Sequence, residues 1–485
     1  MAAVNQTVKW RKCVFLPMDN IIVVVYLIFI LCIGIYSGKG VKSLREFSVS
    51  HRSYSSWIIF ATLSASFIGG GFSLGNAEKV FRFGIVNVVA LWGFSLKEIL
   101  VAKFIAPKTR RFPNFISTGD LMAPAYGKSG KIITGVFSVF LCAGIVGAQV
   151  GAMGKIFNVF LGIDELWGIL IGCGIVIAYS TIGGMRAVVL TDIIQFAVLG
   201  VGIPLTLFVG LHHAGGFSAV VDALPAGHFS IPGDHMTWLA LLSLFLAFLL
   251  GETLVPPYVQ RLFIGKNSRE TARGTLFSGL ISIPFFAVTG LIGIVALALA
   301  PDLNPNLAMP YVIQTTLPIG LRGIVIAGVI SIVMSSADSF LNGAASGFIN
   351  DIIKPLRHKP LTDSTELNLA KLANFVVGIS AIVFAISIES ILDILLYAYN
   401  FWAPIILVPL AAVLLEFKTT KAGFYAGAFA GICGTLFWKQ LLGSPAGIDG
   451  LVIGVLCNLI CFVIVNNSVY EKLDEPKLCP EESNS

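Results

Sequence analysis

Residues 331–339 read Ser331-Ile-Val-Met-Ser-Ser-Ala-Asp-Ser339. On a helix, positions 332, 335, 336 and 339 share one face by i, i+3, i+4, i+7 spacing. That face stacks the backbone carbonyl of Ile332 on the hydroxyls of Ser335, Ser336 and Ser339. Hard cations take oxygen ligands, so such a face can hold sodium. The same serines can instead allow close helix packing or bond back to the carbonyl one turn earlier. Spacing leaves both readings open.

Six ionisable residues stand inside apolar stretches: Lys97, Glu98, Lys155, Asp192, Glu252 and Asp338. Ionisable groups at membrane depth are costly and point to function or to pairing. Lys97 and Glu98 are adjacent and leave the helix on different faces, so local pairing or snorkelling is expected. Lys155 is expected to snorkel to the outer surface. Glu252 can pair with an amine or cap a broken helix. No Ser/His/Asp arrangement, phosphate-binding loop or metal-ligand cluster accompanies these residues, so no enzyme and no cofactor are expected. The eight cysteines are scattered and form no CxxC pair.

The elements that must carry these residues follow from composition. The chain has 485 residues, 56% hydrophobic and 12% charged, where a soluble protein carries about 25% charged. The net charge of +6 is read as basic cytoplasmic loops rather than as a nucleic-acid surface. Apolar runs of roughly 20 residues without alternation favour helices over barrel strands. The fold class expected is an all-α membrane protein of about 13 spans. They fall near 18–37, 56–77, 84–106, 131–161, 165–183, 188–211, 237–258, 274–299, 321–350, 368–388, 393–416, 420–440 and 447–466. The first run follows Lys9, Arg11 and Lys12 and lacks an Ala-x-Ala site, so it reads as a retained helix rather than a signal peptide.

Lysine and arginine in short loops set the orientation. With the C-terminus inside, the cytoplasmic loops take Lys39, Lys42, Arg45, Arg52, Lys103, Lys108, Arg110, Arg111, Lys128, Lys131 and Arg186. They also take Arg261, Lys266, Arg269, Arg273, Lys354, Arg357, Lys359 and Lys371. The opposite loops hold Lys79, Arg82, Arg322 and Lys439, and the loop 212–236 has no lysine or arginine. The bias favours N-terminus outside and C-terminus cytoplasmic, although the basic residues before the first span oppose it.

Two spans carry breakers. The second reads Ala61-Thr-Leu-Ser-Ala-Ser-Phe-Ile-Gly-Gly-Gly-Phe-Ser-Leu-Gly75, and each glycine costs about 1 kcal/mol against alanine in a helix interior. The seventh reads Leu250-Gly-Glu-Thr-Leu-Val-Pro-Pro-Tyr258, and prolines remove donors and clash with the preceding turn. The breaks lie five spans apart. Two repeats at about 56–211 and 237–416 would then have opposite topology, each opening on its broken helix. Paired breaks of this kind point to a transport site at the midplane; the alternative is that the glycines and prolines only permit close packing or a kink. Helices 18–37, 420–440 and 447–466 flank this core, followed by a tail at 467–485, in a single transmembrane domain.

The stretch Tyr179-Ser-Thr-Ile-Gly-Gly-Met-Arg-Ala-Val-Val-Leu-Thr-Asp-Ile-Ile-Gln195, with Met334-Ser-Ser-Ala-Asp-Ser339, resembles the sodium/solute symporter family over nearly the whole chain. The resemblance implies an inverted five-helix-repeat core and alternating access coupled to sodium. It places the principal sodium on backbone carbonyls of Ser64 and Phe67, the Ile332 carbonyl, and the hydroxyls of Ser335 and Ser336. A second ion position would use Asp192, Asp338 and Ser339. The family serine is an aspartate at 338, which can carry sodium or a proton. Within the family, Gly69-Gly-Gly-Phe-Ser-Leu-Gly-Asn-Ala-Glu-Lys-Val80 and Gln260-Arg261 resemble the choline-transporter branch. That branch's tryptophans are absent, with Phe67 in one place and the other replaced near Val255. Aromatic faces, best tryptophan, hold quaternary ammonium, so choline is disfavoured.

The function expected is a sodium-coupled symporter importing a small polar solute such as an amino acid. Alternatives are a proton-coupled or uncoupled carrier, a choline-type transporter, or a solute sensor, the last disfavoured because the chain ends about 20 residues after its final span. Phe67, Gly69, Gly70, Gly71, Phe72, Ser73, Gln149, Glu252, Thr253 and Tyr258 are expected to line or border the substrate site. The expected location is the plasma membrane, read as a bacterial inner membrane; sequons at Asn5 and Asn466 do not decide it.

Overall fold

The computed structural model describes residues 17–225, 227–232, 236–387 and 399–474. Among them every regular element is helical, with one isolated bridge between Tyr54 and Gly265. In chain order they are α1 (Pro17–Ser37), α2 (Leu44–Val49), α3 (Ser56–Phe67), α4 (Gly70–Phe83), α5 (Val86–Phe104) and α6 (Gly119–Leu161). Next come α7 (Glu165–His213), α8 (Phe217–Asp222), α9 (Trp238–Leu250), α10 (Pro256–Phe263), α11 (Ser268–Leu299), α12 (Ala308–Thr316) and α13 (Leu321–Gly347). The last four long helices are α14 (Asp363–Ser387), α15 (Tyr399–Leu415), α16 (Lys421–Leu436) and α17 (Gly450–Asp474). Among the described residues, seven helices are each long and apolar enough to cross a membrane, eight if the bent pair α3/α4 is one span. Such helices satisfy their own backbone groups, as lipid requires.

Every expected span falls on helix where the structure describes it. The start of the eleventh, the residues Lys9, Arg11 and Lys12, and the Asn5 sequon lie outside the described residues. The final helix runs on to Asp474, past the expected edge at 466. Asn466 is buried, and its side-chain oxygen accepts from Thr420 N–H at 2.8 Å, so that sequon is closed to a glycan. The expected link between the fifth and sixth spans is a sharp kink: the two helices of α7 meet at Gly184, whose φ of 52° and ψ of −147° lie outside the helical region. A side chain there would lie 2.6 Å from the Phe47 ring and from its carbonyl oxygen, so the turn requires glycine on both conformational and steric grounds.

Helix α13 is the axis of the molecule. Its most apolar window is 94% buried, against 28% for α1 and α14, whose outer faces meet lipid. It packs on α1, α3, α6, α7 and α10. Small residues let backbones approach in a membrane, where burial alone gives no driving force between helices. Gly343 of α13, for example, would place a Cβ 3.2 Å from the Pro257 ring of α10.

Candidate ion and substrate site

The glycine-rich span breaks at 68–69. Helices α3 and α4 meet there at 54°. Ile68 N–H closes α3 on the Ser64 carbonyl at 3.1 Å, and the Gly69 carbonyl then accepts from Phe72 N–H, Ser73 N–H and the Ser73 hydroxyl at 3.1, 3.1 and 3.0 Å. The second break spans 251–255, between α9 and α10. Leu254 sits at φ 57°, and Pro256 and Pro257 open α10 without needing N–H partners. Trp402 donates its indole N–H to the Thr253 carbonyl at 3.3 Å, holding this break open. Both breaks expected from sequence are therefore present.

Helix α13 presents its serines to the first break, and adjacent residues diverge. The Ser336 hydroxyl lies 2.8 Å from the Ser66 carbonyl and 3.2 Å from that of Ile332. A Cβ on Gly69 would fall 2.8 Å from that hydroxyl, so the absence of a side chain admits Ser336 to the break. Ser335 instead donates to the carboxylate of Asp192. Ser339 bonds back to the Ser335 carbonyl at 2.7 Å and touches Ser66 at 3.0 Å. Back-bonding and cross-helix contact thus occur together. The carbonyl that Ser336 meets is that of Ser66, one residue from the expected Phe67 and two from the expected Ser64.

The expected second ion position already contains a cation. Arg261 was assigned from sequence to a cytoplasmic loop; it is wholly buried on α10. The loop assignment is corrected because α10 continues to Phe263 and carries the guanidinium inward. Its Nη2 lies 2.9 Å from Asp192, 2.6 Å from Ser66 and 2.5 Å from Ser339, and its Nε donates to Thr62 at 3.0 Å. Thr62 also donates to Asp192. Asp338 borders this network through Ser339, whose hydroxyl oxygen lies 3.0 Å from it, and accepts from the Tyr179 hydroxyl at 2.5 Å.

The substrate candidates divide. Phe67 meets Tyr258 edge-on at 5.3 Å, beside the breaks. Gln149, on α6, approaches Gly69 and Gly70, whereas nothing faces Gly71 within 4 Å of an added Cβ. Phe72 turns away into an aromatic stack with Phe94, Phe248 and Phe286 at 5.2, 5.7 and 5.9 Å. Ser73 is occupied with Gly69, and Thr253 with the Leu249 carbonyl. Glu252 is buried in the second break and accepts from Tyr399. Lys97 and Glu98 pair at 2.8 Å as expected, but wholly buried rather than snorkelling. Lys155 is exposed, as expected.

A model of the sodium:solute symporter family matches residues 47–434, most of the chain and both breaks. The chain belongs to the sodium:solute symporter family. Among its relatives is a sodium/glucose cotransporter of Vibrio parahaemolyticus, 26% identical over 95% of this chain and 92% of that protein. A high-affinity choline transporter of Drosophila melanogaster is 27% identical over 82% of this chain and 66% of its own length. The fold matches that of a sodium-coupled sialic acid symporter, with a TM-score of 0.84, 20% identity, and coverage of 93% and 97% of the two chains. A nucleobase-cation-symport-1 family transporter matches at a TM-score of 0.56 and 14% identity, covering 89% of this chain and 96% of that one. This sodium:solute symporter family member is thus a multi-pass helical membrane protein of a transporter fold. Its sequence concealed Arg261, Ser66 and Thr62 as site neighbours. The signal for Arg261 was the apolar run Leu262-Phe263-Ile264 that follows it, beyond the expected end of the span at 258.

Proposed function

We propose that this protein is a sodium-coupled symporter that carries a small polar solute across the plasma membrane by alternating access. The observation that carries the reading is the first break, where α3 and α4 part at 54° and Ser336 of α13 lies 2.8 Å from the freed end of α3. Sodium would bind there on carbonyls of Ser64, Phe67 and Ile332 and the hydroxyls of Ser335 and Ser336. An oxygen-only shell of carbonyls and hydroxyls suits a hard monovalent cation. The matched break at 251–255 supports two inverted repeats at about 56–211 and 237–416, with the solute between the breaks. Family membership, and relatives named for sodium-coupled transport, support the same reading. The lysine and arginine bias of the short loops supports an outside N-terminus and a cytoplasmic C-terminus.

The test is thermal stability of the purified protein as potassium is replaced by sodium at fixed pH, with solute uptake into proteoliposomes beside it. Sodium should stabilise the protein, and the Ser335→Ala/Ser336→Ala variant should need at least about tenfold more of it while inserting normally. Unchanged sodium dependence would show that the serine face serves packing alone.

A second reading rests on Asp338, a buried carboxylate that forms no ion pair among the described residues. Uncompensated acids at membrane depth carry protons in many carriers. Uptake that follows a proton gradient and ignores sodium would establish that reading in place of the first.

A further inference from the structure

Glu252 is a carboxylate without a counter-ion at the second break. It is 8% exposed. One oxygen, Oε1, accepts from the Tyr399 hydroxyl. The other, Oε2, is buried and has no hydrogen-bond partner among the described residues, and Glu252 forms no ion pair among them. An ionised carboxylate only accepts, so the missing partner must be a donor. Leaving such a group buried and unpaired is strongly unfavourable.

The neighbouring charges do not supply that donor. Lys97 Nζ lies 2.8 Å from Glu98 Oε1, and the Tyr258 hydroxyl donates to Glu98 Oε2 at 3.1 Å. The Lys97–Glu98 contact is off-line for a hydrogen bond. The ammonium instead faces three aromatic rings: Phe94 at 3.7 Å, Tyr258 at 4.4 Å and Phe67 at 5.7 Å from their centroids. This is the environment that aromatic residues offer a cation. The pocket in which a free quaternary ammonium could settle is already filled by a tethered cation of the chain itself. Two buried carboxylates and one buried ammonium thus flank the breaks, one positive charge short.

We propose that the cargo supplies that charge as an N–H-bearing ammonium donated to Glu252 Oε2, and that Lys97 excludes quaternary ammonium from the same site. The inference rests on the reading of the two breaks as the solute site. It narrows the small polar solute to amines and amino acids with hydrogens on nitrogen. Such a contact is a charge-assisted hydrogen bond, shorter and stronger than a neutral one. A methylated nitrogen has no hydrogen to donate and would meet Lys97 as a like charge. A sugar hydroxyl could donate but would leave the charge uncompensated.

The experiment uses the full-length protein in detergent, in sodium and in potassium, with two matched pairs of probes. Ethanolamine and choline differ only in three methyl groups on nitrogen, as do glycine and glycine betaine; lactate and glucose complete the panel. Thermal shift at each probe concentration gives the affinity. The expected result is stabilisation by ethanolamine or glycine, with none by choline, betaine, lactate or glucose. Glu252→Gln, which keeps the shape and an acceptor for Tyr399, should weaken the amine by about tenfold or more while sodium alone still stabilises the variant. Binding by choline, betaine, lactate or glucose with no amine bound overturns the proposal, and so does a panel in which no amine binds. Unchanged amine affinity in Glu252→Gln also overturns it. So does an amine-free ligand whose affinity depends on pH in the native protein and not in the variant, because the missing charge is then a proton. Amine binding that needs Glu252 but is equal in sodium and potassium would leave the proposal standing and remove the sodium-coupled reading instead.

Discussion

Arg261 is the residue whose removal the structure marks as most damaging to stability. It donates into a closed set of oxygens on Thr62, Ser66, Asp192 and Ser339, with no water-facing atom. Arg261→Met would strand the Asp192 charge, and breaking one side of a buried pair costs roughly 3–5 kcal/mol. Its thermal midpoint in detergent should fall clearly, and adding Asp192→Asn should recover part of the loss. An unchanged midpoint in the single variant would show that the pair is dispensable. The sequence did identify Asp192, because an acid within an apolar run stands out. It did not identify the partner, because an arginine near a span edge reads as a cytoplasmic anchor under the positive-inside rule. The Lys97–Glu98 pair had the opposite history: its pairing was legible from adjacency, while its full burial among aromatic rings came only from bringing Phe67 of α3 and Tyr258 of α10 beside α5.

At the scale of elements, the three consecutive glycines are not equivalent. Gly69 has an ordinary φ of −70°, so its role is steric rather than conformational. An added methyl would sit 2.8 Å from the Ser336 hydroxyl at position 69, 3.3 Å from Val333 at position 70, and in open space at position 71. Alanine substitutions should therefore be graded. Gly69→Ala should raise the sodium concentration for half-maximal stabilisation most, Gly70→Ala less, and Gly71→Ala not at all. Alanine even gains up to about 1 kcal/mol of helix propensity at such positions. Titration of the three variants with sodium checks the order, and an equal effect at all three would mean that the glycines act through flexibility. The break itself was legible because no helix tolerates that run well. Its edge was not, because 68–69 is set by contact with α13. The tightness of the turn between the two spans of α7 was hidden for a similar reason: it takes one residue, Gly184, over which Phe47 closes.

For the whole molecule, fold class was legible from composition alone, since hydropathy leaves only helices for a chain so poor in charge. Orientation rests on loop charge, and losing Arg261 from the count leaves Lys266, Arg269 and Arg273 in the same loop. In a cysteine-free background, His213→Cys should react with an impermeant maleimide in intact cells, and Lys359→Cys only after permeabilisation. The reverse pattern would invert the topology. What no linear pattern conveys is how segments far apart in the chain are mechanically joined. Arg261 fastens α10 to α3, α7 and α13 at one point. A cycle that swings α3 and α10 past α7 and α13 must therefore pull this rivet out at every turnover, separating opposite charges in a dry interior. Otherwise the four helices travel as a single plate. The seams left to slip are then the greasy ones, such as the rings of Phe72, Phe94, Phe248 and Phe286 between α4, α5, α9 and α11, where sliding separates no charge.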